Sequence, residues 1–210
     1  MSPSPLTVTV HQGALPAGPA SLPVPTDLPP IDRIDSPRLT LVPASAGHLA
    51  DLLVVNGDDT VTRWLPYATW QTLDDARAWL ARVEALVAAG STRQLVLRHS
   101  GHGGVIGALL FHRYEAASRR AEIGYVLGRT HWHQGLMREA VAAACSHAFT
   151  ALGLRRIEAE VNPDNVASCR LLEGLGFQLE GRLRQRWTAK GNTYDTCLYG
   201  VLGQEWSATG

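Results

Sequence analysis

Lysine is nearly missing from this chain. Of its 19 basic residues only Lys190 is not arginine, and 19 acidic residues bring the formal net charge to zero. A strong positive field gives bulk affinity for polyanions and anionic lipid surfaces. Its lack excludes a non-specific nucleic-acid binder and a polybasic membrane anchor, but not a small anionic ligand, which needs only a local site. Cysteine is scarce as well. Cys145, Cys169 and Cys197 are odd in number, widely spaced and without C-x-x-C spacing, which argues against a zinc ribbon or a disulfide framework. No window approaches the ~18 apolar residues of a spanning helix. The N-terminus has no charged start followed by an apolar run, the first basic residue being Arg33. These absences lead to the expectation of a cytoplasmic protein with reduced thiols and neither a membrane nor a nucleic acid as partner.

What is present points to one folded domain behind a leader. The 210 residues are 45% hydrophobic, enough for a real core. Nine of the 12 prolines lie at or before Pro37. Residues 1–35 mix Pro, Ser, Thr, Gly and Ala without helical or strand periodicity and carry too little apolar surface to offset their ordering entropy. They are expected to form a proline-rich tail that packs locally at most. The domain is expected over 36–206 and a short C-terminal tail over 207–210.

Within the domain the patterns are regular. Arg38–Pro43 alternates as a strand and Ser45–Val55 reads as a helix capped by Ser45. Thr72 caps a longer helix with Asp74 and Asp75 in its first turn and Gly90 as its stop. Arg93–Arg98 and Val105–Arg113 flank a turn at Ser100–Gly104, so they read as a hairpin. Arg120–Leu127 is a further strand. Gly135–Leu152 is an Ala-rich helix with a stripe of Met137, Val141, Ala144, Ala148 and Leu152. Arg156–Val161 is a strand, a short helix follows Asn162, and Phe177–Arg186 with Asn192–Val201 closes the chain as a hairpin. The order β α α β β β α β α β β, with one strand–helix–strand crossover among hairpins, predicts an α/β (α+β) domain with a mixed sheet, not a doubly wound one.

Two stretches carry chemistry. In AEIGYVLGRTHWHQGLMREA a strand ends near Leu127 and a helix begins at Gly135. A glycine there lets backbone N–H groups approach a ligand, and the helix N-terminus adds unpaired donors and a positive dipole end. That combination suits phosphate, with Arg138 adding charge and Gln134 a donor. In EAEVNPDNVASCRLLEGLGFQLEG, Asn162, Asn165 and Ser168 recur at three-residue steps after a strand. The two asparagines serve either as helix caps or as donor–acceptor partners for an amide-bearing ligand.

Together these runs, with SPRLTL before them and GNTYDTCLYGVLGQEW after them, resemble the GNAT superfamily of acyl-CoA-dependent N-acetyltransferases, in particular its RimJ/RimL-like ribosomal-protein branch. The resemblance runs from about Ser36 to Trp206. It implies a mixed, mostly antiparallel seven-stranded sheet splayed between strands 4 and 5, with helices on both faces. It also implies acetyl-CoA as cosubstrate, no metal, a homodimer, and an acceptor amine on a protein N-terminus or a small molecule. The family's pyrophosphate loop, Q/R-x-x-G-x-G/A, maps to Trp132 through Met137. Gly135 matches, while Trp132 and Met137 depart from the pattern in a way that leaves backbone cradling intact. By resemblance the cofactor-binding set is Val126, Leu127, His133, Gln134, Gly135, Leu136, Met137, Arg138, Asn162, Asn165 and Ser168.

The implied reaction is direct attack of the amine on the thioester, with a backbone N–H at the splayed strand facing the oxyanion. Ser168 would hydrogen-bond or protonate the leaving thiolate, and Glu122 would act as base. Trp187 stands where some ribosomal-type relatives carry a carboxylate on the sixth strand. Trp64, Tyr67, Trp70, Tyr114 and Trp187 are the aromatics expected around the acceptor, and Tyr199 is expected to shape the site.

Other chemistries fit less well. His131 and His133 in a loop, with no carboxylate or Cys nearby, are a poor ligand set. No G-x-S-x-G exists for a hydrolase built on Ser168 and His147. The Gly101–Gly107 run precedes a strand, so it is a turn and not a dinucleotide loop. An acyl-enzyme on Cys169 and a non-catalytic acyl-CoA-binding module remain as alternatives.

Overall fold

The computed structural model describes residues 26–101 and 103–207; most of the expected N-terminal tail, His102 and the last three residues lie outside them. The strands are β1 (Ile34–Asp35), β2 (Leu39–Pro43), β3 (Arg93–His99), β4 (Val105–Glu115), β5 (Arg120–Leu127), β6 (Arg156–Val161), β7 (Gln178–Ala189) and β8 (Asn192–Leu202). The helices are α1 (Leu49–Asn56), α2 (Asp59–Thr62), α3 (Leu73–Ala88), α4 (Leu136–Thr150) and α5 (Val166–Gly174). One sheet holds all eight strands in the order β1-β2-β3-β4-β5-β6-β8-β7. Every pairing is antiparallel except β5 with β6, which α4 joins as a crossover.

The expected count of seven strands is short by one, because a two-residue β1 pairs with β2 through Ile34↔Leu41 and Asp35↔Thr40. The cause lies in the stretch read as tail. Leu28, Ile31 and Ile34 are 0%, 3% and 6% exposed and join the main core. Leu28 N–H donates to the Gly90 carbonyl at 2.8 Å, and the Arg93 guanidinium bonds the carbonyls of Leu28 and Pro29. Apolar residues at 28, 31 and 34 keep a three-residue step, which the surrounding prolines obscure. The folded domain therefore begins before the expected boundary at residue 36.

Helices cover both faces. The sheet, α4 and α5 share one core, in which Leu136, Met137, Ala140, Val141, Ala144, Cys145 and Ala148 form the buried stripe of α4. A second core joins Leu49, Leu52, Trp70, Ala76 and Leu80 to Val96, Val105 and Ala108 on the opposite face. Burying a side chain such as Phe111, which is fully enclosed, contributes about 1.5–3 kcal/mol. α3 starts at the Thr72 cap, where the Asp75 carboxylate accepts from the Thr72 and Gln71 amides at 2.9 and 2.8 Å. The helix expected from Ser45 begins instead as a 3₁₀ turn at Ala46–His48, and α1 proper starts at Leu49.

Candidate active site

β5 and β6 stay paired only from Arg120↔Arg156 to Glu122↔Glu158. Beyond that the strands part, leaving the β6-facing edge of β5 without a strand partner from Ile123 onward. A cavity of about 480 Å³ opens at the divergence. Its walls include Leu110, His112, Glu122 and Val126 on one side and Glu160, Asn162, Asn165 and Ser168 on the other. Thr196, also in the wall, has a buried hydroxyl oxygen with no hydrogen-bond partner among the described residues.

At the end of β5 the chain turns into α4 through two residues in the left-handed region, His133 (φ 59°) and Gly135 (φ 75°). Gly135 is the N-cap, so the first amides of a 15-residue helix lie open at the turn. Glu139, inside the first turn, fixes this geometry. Its carboxylate accepts from the Ser36 hydroxyl (2.7 Å), the Arg38 amide (2.7 Å) and Arg38 Nε (2.6 Å). Burial acts to raise the Glu139 pKa, but these donors outweigh it and hold the carboxyl below its ordinary value. Arg38 Nη1 also donates to the Gln134 carbonyl at 2.9 Å, so one guanidinium clips both sides of the turn. Arg138 lies across α5 at Gly174, where any added Cβ would meet its Nη1 at 2.8 Å.

On the far wall, Asn165 caps α5, its side-chain oxygen accepting from the Ser168 amide at 3.3 Å. The Asn162 side chain accepts from Asp164 N–H at 2.9 Å. Capping thus uses their oxygens, and their NH₂ groups have no partner among the described residues. The Ser168 hydroxyl sits 2.7 Å from the Tyr125 hydroxyl, a bond that spans the splay. Burial pushes the Tyr125 pKa far up, so its phenol stays protonated at neutral pH.

The other end of the cavity is ionic. Arg113 occupies a β-bulge at φ 51°. Its Nη1 donates to both Glu122 oxygens (3.0 and 3.2 Å) and to Glu160 (3.2 Å). Trp187 Nε1 donates to Glu160 at 2.6 Å. His112 lies in direct register with Glu122. Trp64, Tyr67, Trp79 and Tyr194 complete an aromatic wall. An open helix N-terminus, a splayed edge strand and a carboxylate-bearing aromatic pocket can hold an anionic, amide-containing chain and deliver its end to an amine.

Comparison with known proteins gives the lineage. Residues 38–178 match the family described as Acetyltransferase (GNAT) domain. This chain belongs to the GNAT acetyltransferases. It is 35% identical over 177 residues to the uncharacterized N-acetyltransferase p20 of Bacillus licheniformis, covering 84% of this chain and 99% of that one. The ribosomal-protein-serine acetyltransferase of Escherichia coli is 37% identical over 81 residues, 39% of this chain and 45% of that one. Mycobacterium smegmatis RimJ, solved with CoA-disulfide, superposes with a TM-score of 0.77 at 25% identity, covering 84% of this chain and 91% of that one. The chain is thus an acyltransferase with RimJ-like relatives, and members of its family move acetyl groups to amines.

Eight of the residues expected at the site are brought together in this cavity. Glu122, Val126, Asn162, Asn165, Ser168, Trp64, Tyr67 and Trp187 all line the cavity. Others stand elsewhere. Leu136 and Met137 are 1% and 7% exposed with their side chains in the core, so only their amides face outward chemistry. His133 and Gln134 are exposed, and the Gln134 side chain turns back to donate to the Thr130 carbonyl at 3.0 Å. The Leu127 carbonyl is already taken by Trp132 Nε1 at 2.8 Å.

Three residues expected near the acceptor do not reach it. Strand alternation would place Tyr114 beside His112, but the bulge at Arg113 reverses the alternation and packs Tyr114 against the opposite core. Tyr199 is 2% exposed under α5, bonded to Glu173 at 2.9 Å. Trp70 is a core residue packed against Trp79, the two rings tilted by 53°. Sequence reasoning missed Tyr125, Glu160, His112, Arg113, Trp79 and the Arg38–Glu139 clip. Only the clip left a trace, as opposite charges in SPR and MRE, and its 101-residue separation carries no local period. Among the described residues no group of side chains could hold a metal ion, and no helix is long and apolar enough to cross a membrane.

Proposed function

We propose that this protein transfers an acetyl group directly from acetyl-CoA to a primary amine, on a protein N-terminus or a small molecule. The observation that carries this reading is the splay. It places an unpaired strand edge, the free NH₂ groups of Asn162 and Asn165, and the Tyr125–Ser168 pair on one cavity, with the Glu122 carboxylate deeper in the same space. The pyrophosphate would rest on the α4 amides beside Gly135, with Arg138 adding charge. Pantetheine would run along the β5 edge to the divergence, bringing the thioester to Ser168.

A backbone N–H at the β5 edge would stabilise the oxyanion, and one such donor is worth about 3–4 kcal/mol. The neutral Tyr125 phenol supports Ser168 as donor to the departing thiolate. The amine enters from the aromatic end and loses its proton toward the wall that Glu122 shares with His112. An α-amine, with a pKa near 8 (about 7.7–8.0), asks little of a base there. RimJ-like and ribosomal-serine relatives support a protein N-terminus. Glu160, from β6 and bonded to Trp187, supplies a carboxylate close to where such relatives carry one on the following strand.

The test is release of free thiol from acetyl-CoA in the presence of amino-terminal peptides, polyamines and amino acids. Transfer is expected to at least one acceptor, and Ser168→Ala should lower turnover while sparing CoA affinity. Tight CoA binding with no thiol release from any acceptor would instead indicate a binding module. No CoA binding at all would sink the reading.

A further inference from the structure

We propose that His112 takes the proton from the attacking amine, with Glu122 stabilising the imidazolium that forms. The proposal rests on the acetyl-transfer reading and assigns a further catalytic residue within it. His112 and Glu122 are direct partners across the β4–β5 pair, so both side chains leave the same face of the sheet, and both line the cavity. Both Glu122 oxygens are already engaged by Arg113 at 3.0 and 3.2 Å. A base must present a lone pair to the amine, and Arg113 already sits on both carboxylate oxygens.

His112 is in the reverse condition. Its Nε2 lies 3.8 Å from Glu122 Oε2, too long for a hydrogen bond but well inside Coulombic range. Neither ring nitrogen has a hydrogen-bond partner among the described residues. The side chain is 31% exposed, which leaves the ring within reach of a ligand.

Among the described residues three charges act on the His112 ring. Glu122 from β5 and Glu160 from β6 favour the imidazolium, and Arg113 from β4 opposes it. Arg186 from β7 stands 3.6 Å from Glu160, and Tyr194 from β8 and Tyr67 before α3 complete the wall. Burial is the largest influence and pushes the His112 pKa below its ordinary value, so the ring is neutral at pH 7 and keeps a lone pair.

The chemistry balances. The amine nitrogen forms the C–N bond as the carbonyl pair moves to oxygen, and the C–S bond breaks when the carbonyl re-forms. Its proton passes to His112 and then to solvent. The thiolate leaves and gains a proton through Ser168, which solvent resupplies.

The test compares wild type, His112→Gln, His112→Asn and Glu122→Gln by thiol release with acetyl-CoA, using spermidine and a peptide with a free N-terminal serine as acceptors. His112→Gln is expected to lower kcat about 10²–10⁴-fold and to abolish the acid limb of the pH profile, with the KM for acetyl-CoA little changed. Glu122→Gln should keep that limb but move it to lower pH, because the imidazolium loses its counter-charge. Thermal melts of both His112 variants separate lost chemistry from lost folding. A His112→Gln enzyme that keeps its acid limb, or a kcat within about threefold of wild type, overturns the proposal. If wild type acetylates neither probe, the transfer reading fails for those amines and NMR titration of the His112 ring in the CoA-bound protein decides the assignment. A ring neutral at pH 7 whose pKa falls further in Glu122→Gln sustains it; a protonated ring, or one indifferent to Glu122→Gln, overturns it.

Discussion

Replacing Glu139 with alanine should both loosen the domain and weaken CoA binding, because its carboxylate ties the segment before β2 to the first turn of α4 by three bonds. It accepts from Ser36 Oγ, Arg38 N and Arg38 Nε at 2.7, 2.7 and 2.6 Å. Hydrogen bonds to a charged group contribute about 1.5–3 kcal/mol each. Arg38 is 47% exposed, so its side-chain bond falls toward the ~1 kcal/mol of a solvated ion pair. Bonds that share one acceptor group do not add fully, so the expected loss is about 3–5 kcal/mol. In a domain of this size that lowers the melting temperature by roughly 6–20 °C. Released Arg38 also drops the Gln134 carbonyl, so the turn before α4 loses its preset shape. CoA affinity measured by calorimetry should weaken at least about tenfold, or 1.4 kcal/mol.

Glu139→Gln separates charge from shape. The folded pKa of Glu139 is lowered from its ordinary 4.5, so its charge contributes stability above that value and loses it as pH falls through the folded pKa. The melting temperature of wild type should therefore fall more steeply in acid than that of Glu139→Gln. A Glu139→Ala protein with unchanged melting temperature and unchanged CoA affinity would show the clip to be incidental and refute the reasoning.

Other outcomes follow from single contacts. Tyr125→Phe removes the hydroxyl 2.7 Å from Ser168 and should cut kcat by about 3–30-fold with CoA affinity retained, read from thiol-release kinetics beside calorimetry. Leu28→Ala should destabilise the domain by about 2–5 kcal/mol in denaturant unfolding, since Leu28 is 0% exposed; a change under about 0.5 kcal/mol would return residue 28 to the tail. Gly135→Ala meets no close atom, the nearest being Arg38 Nη2 at 3.6 Å, yet φ is +75°. It should cost about 1 kcal/mol of stability through backbone strain and weaken CoA binding by a similar factor in calorimetry.

The legible parts of the site are those written in local sequence. The left-handed Gly135 before an Ala-rich helix, and the Asn162–Asn165–Ser168 steps after a strand, are short-range patterns. Each places its residues within one or two turns of the feature that makes it recognisable. Glu122 was placed only by its match to the family's strand, since Ala121, Glu122 and Ile123 are all buried and show no alternation. Tyr114 was expected at the acceptor, where alternation along β4 would put it. A bulge inserts one residue, and alternation then assigns every later side chain to the wrong face. Glu160 and Tyr125 each sit in an ordinary strand, and their roles arise from partners on β7 and α5.

The sequence by itself determined β2 to β8, the helices α1, α3, α4 and α5, the single crossover and the glycine turn at α4, because hydrophobic period, caps and turn residues act over a few positions. Tertiary structure alone decided that β5 and β6 part after Glu122, that Leu28 and Ile31 complete the core, and that His112, Arg113, Glu122 and Glu160 share one cavity. Those outcomes depend on strand register and on contacts between segments far apart in the chain, such as Arg38 and Glu139, 101 residues apart, which no local pattern encodes.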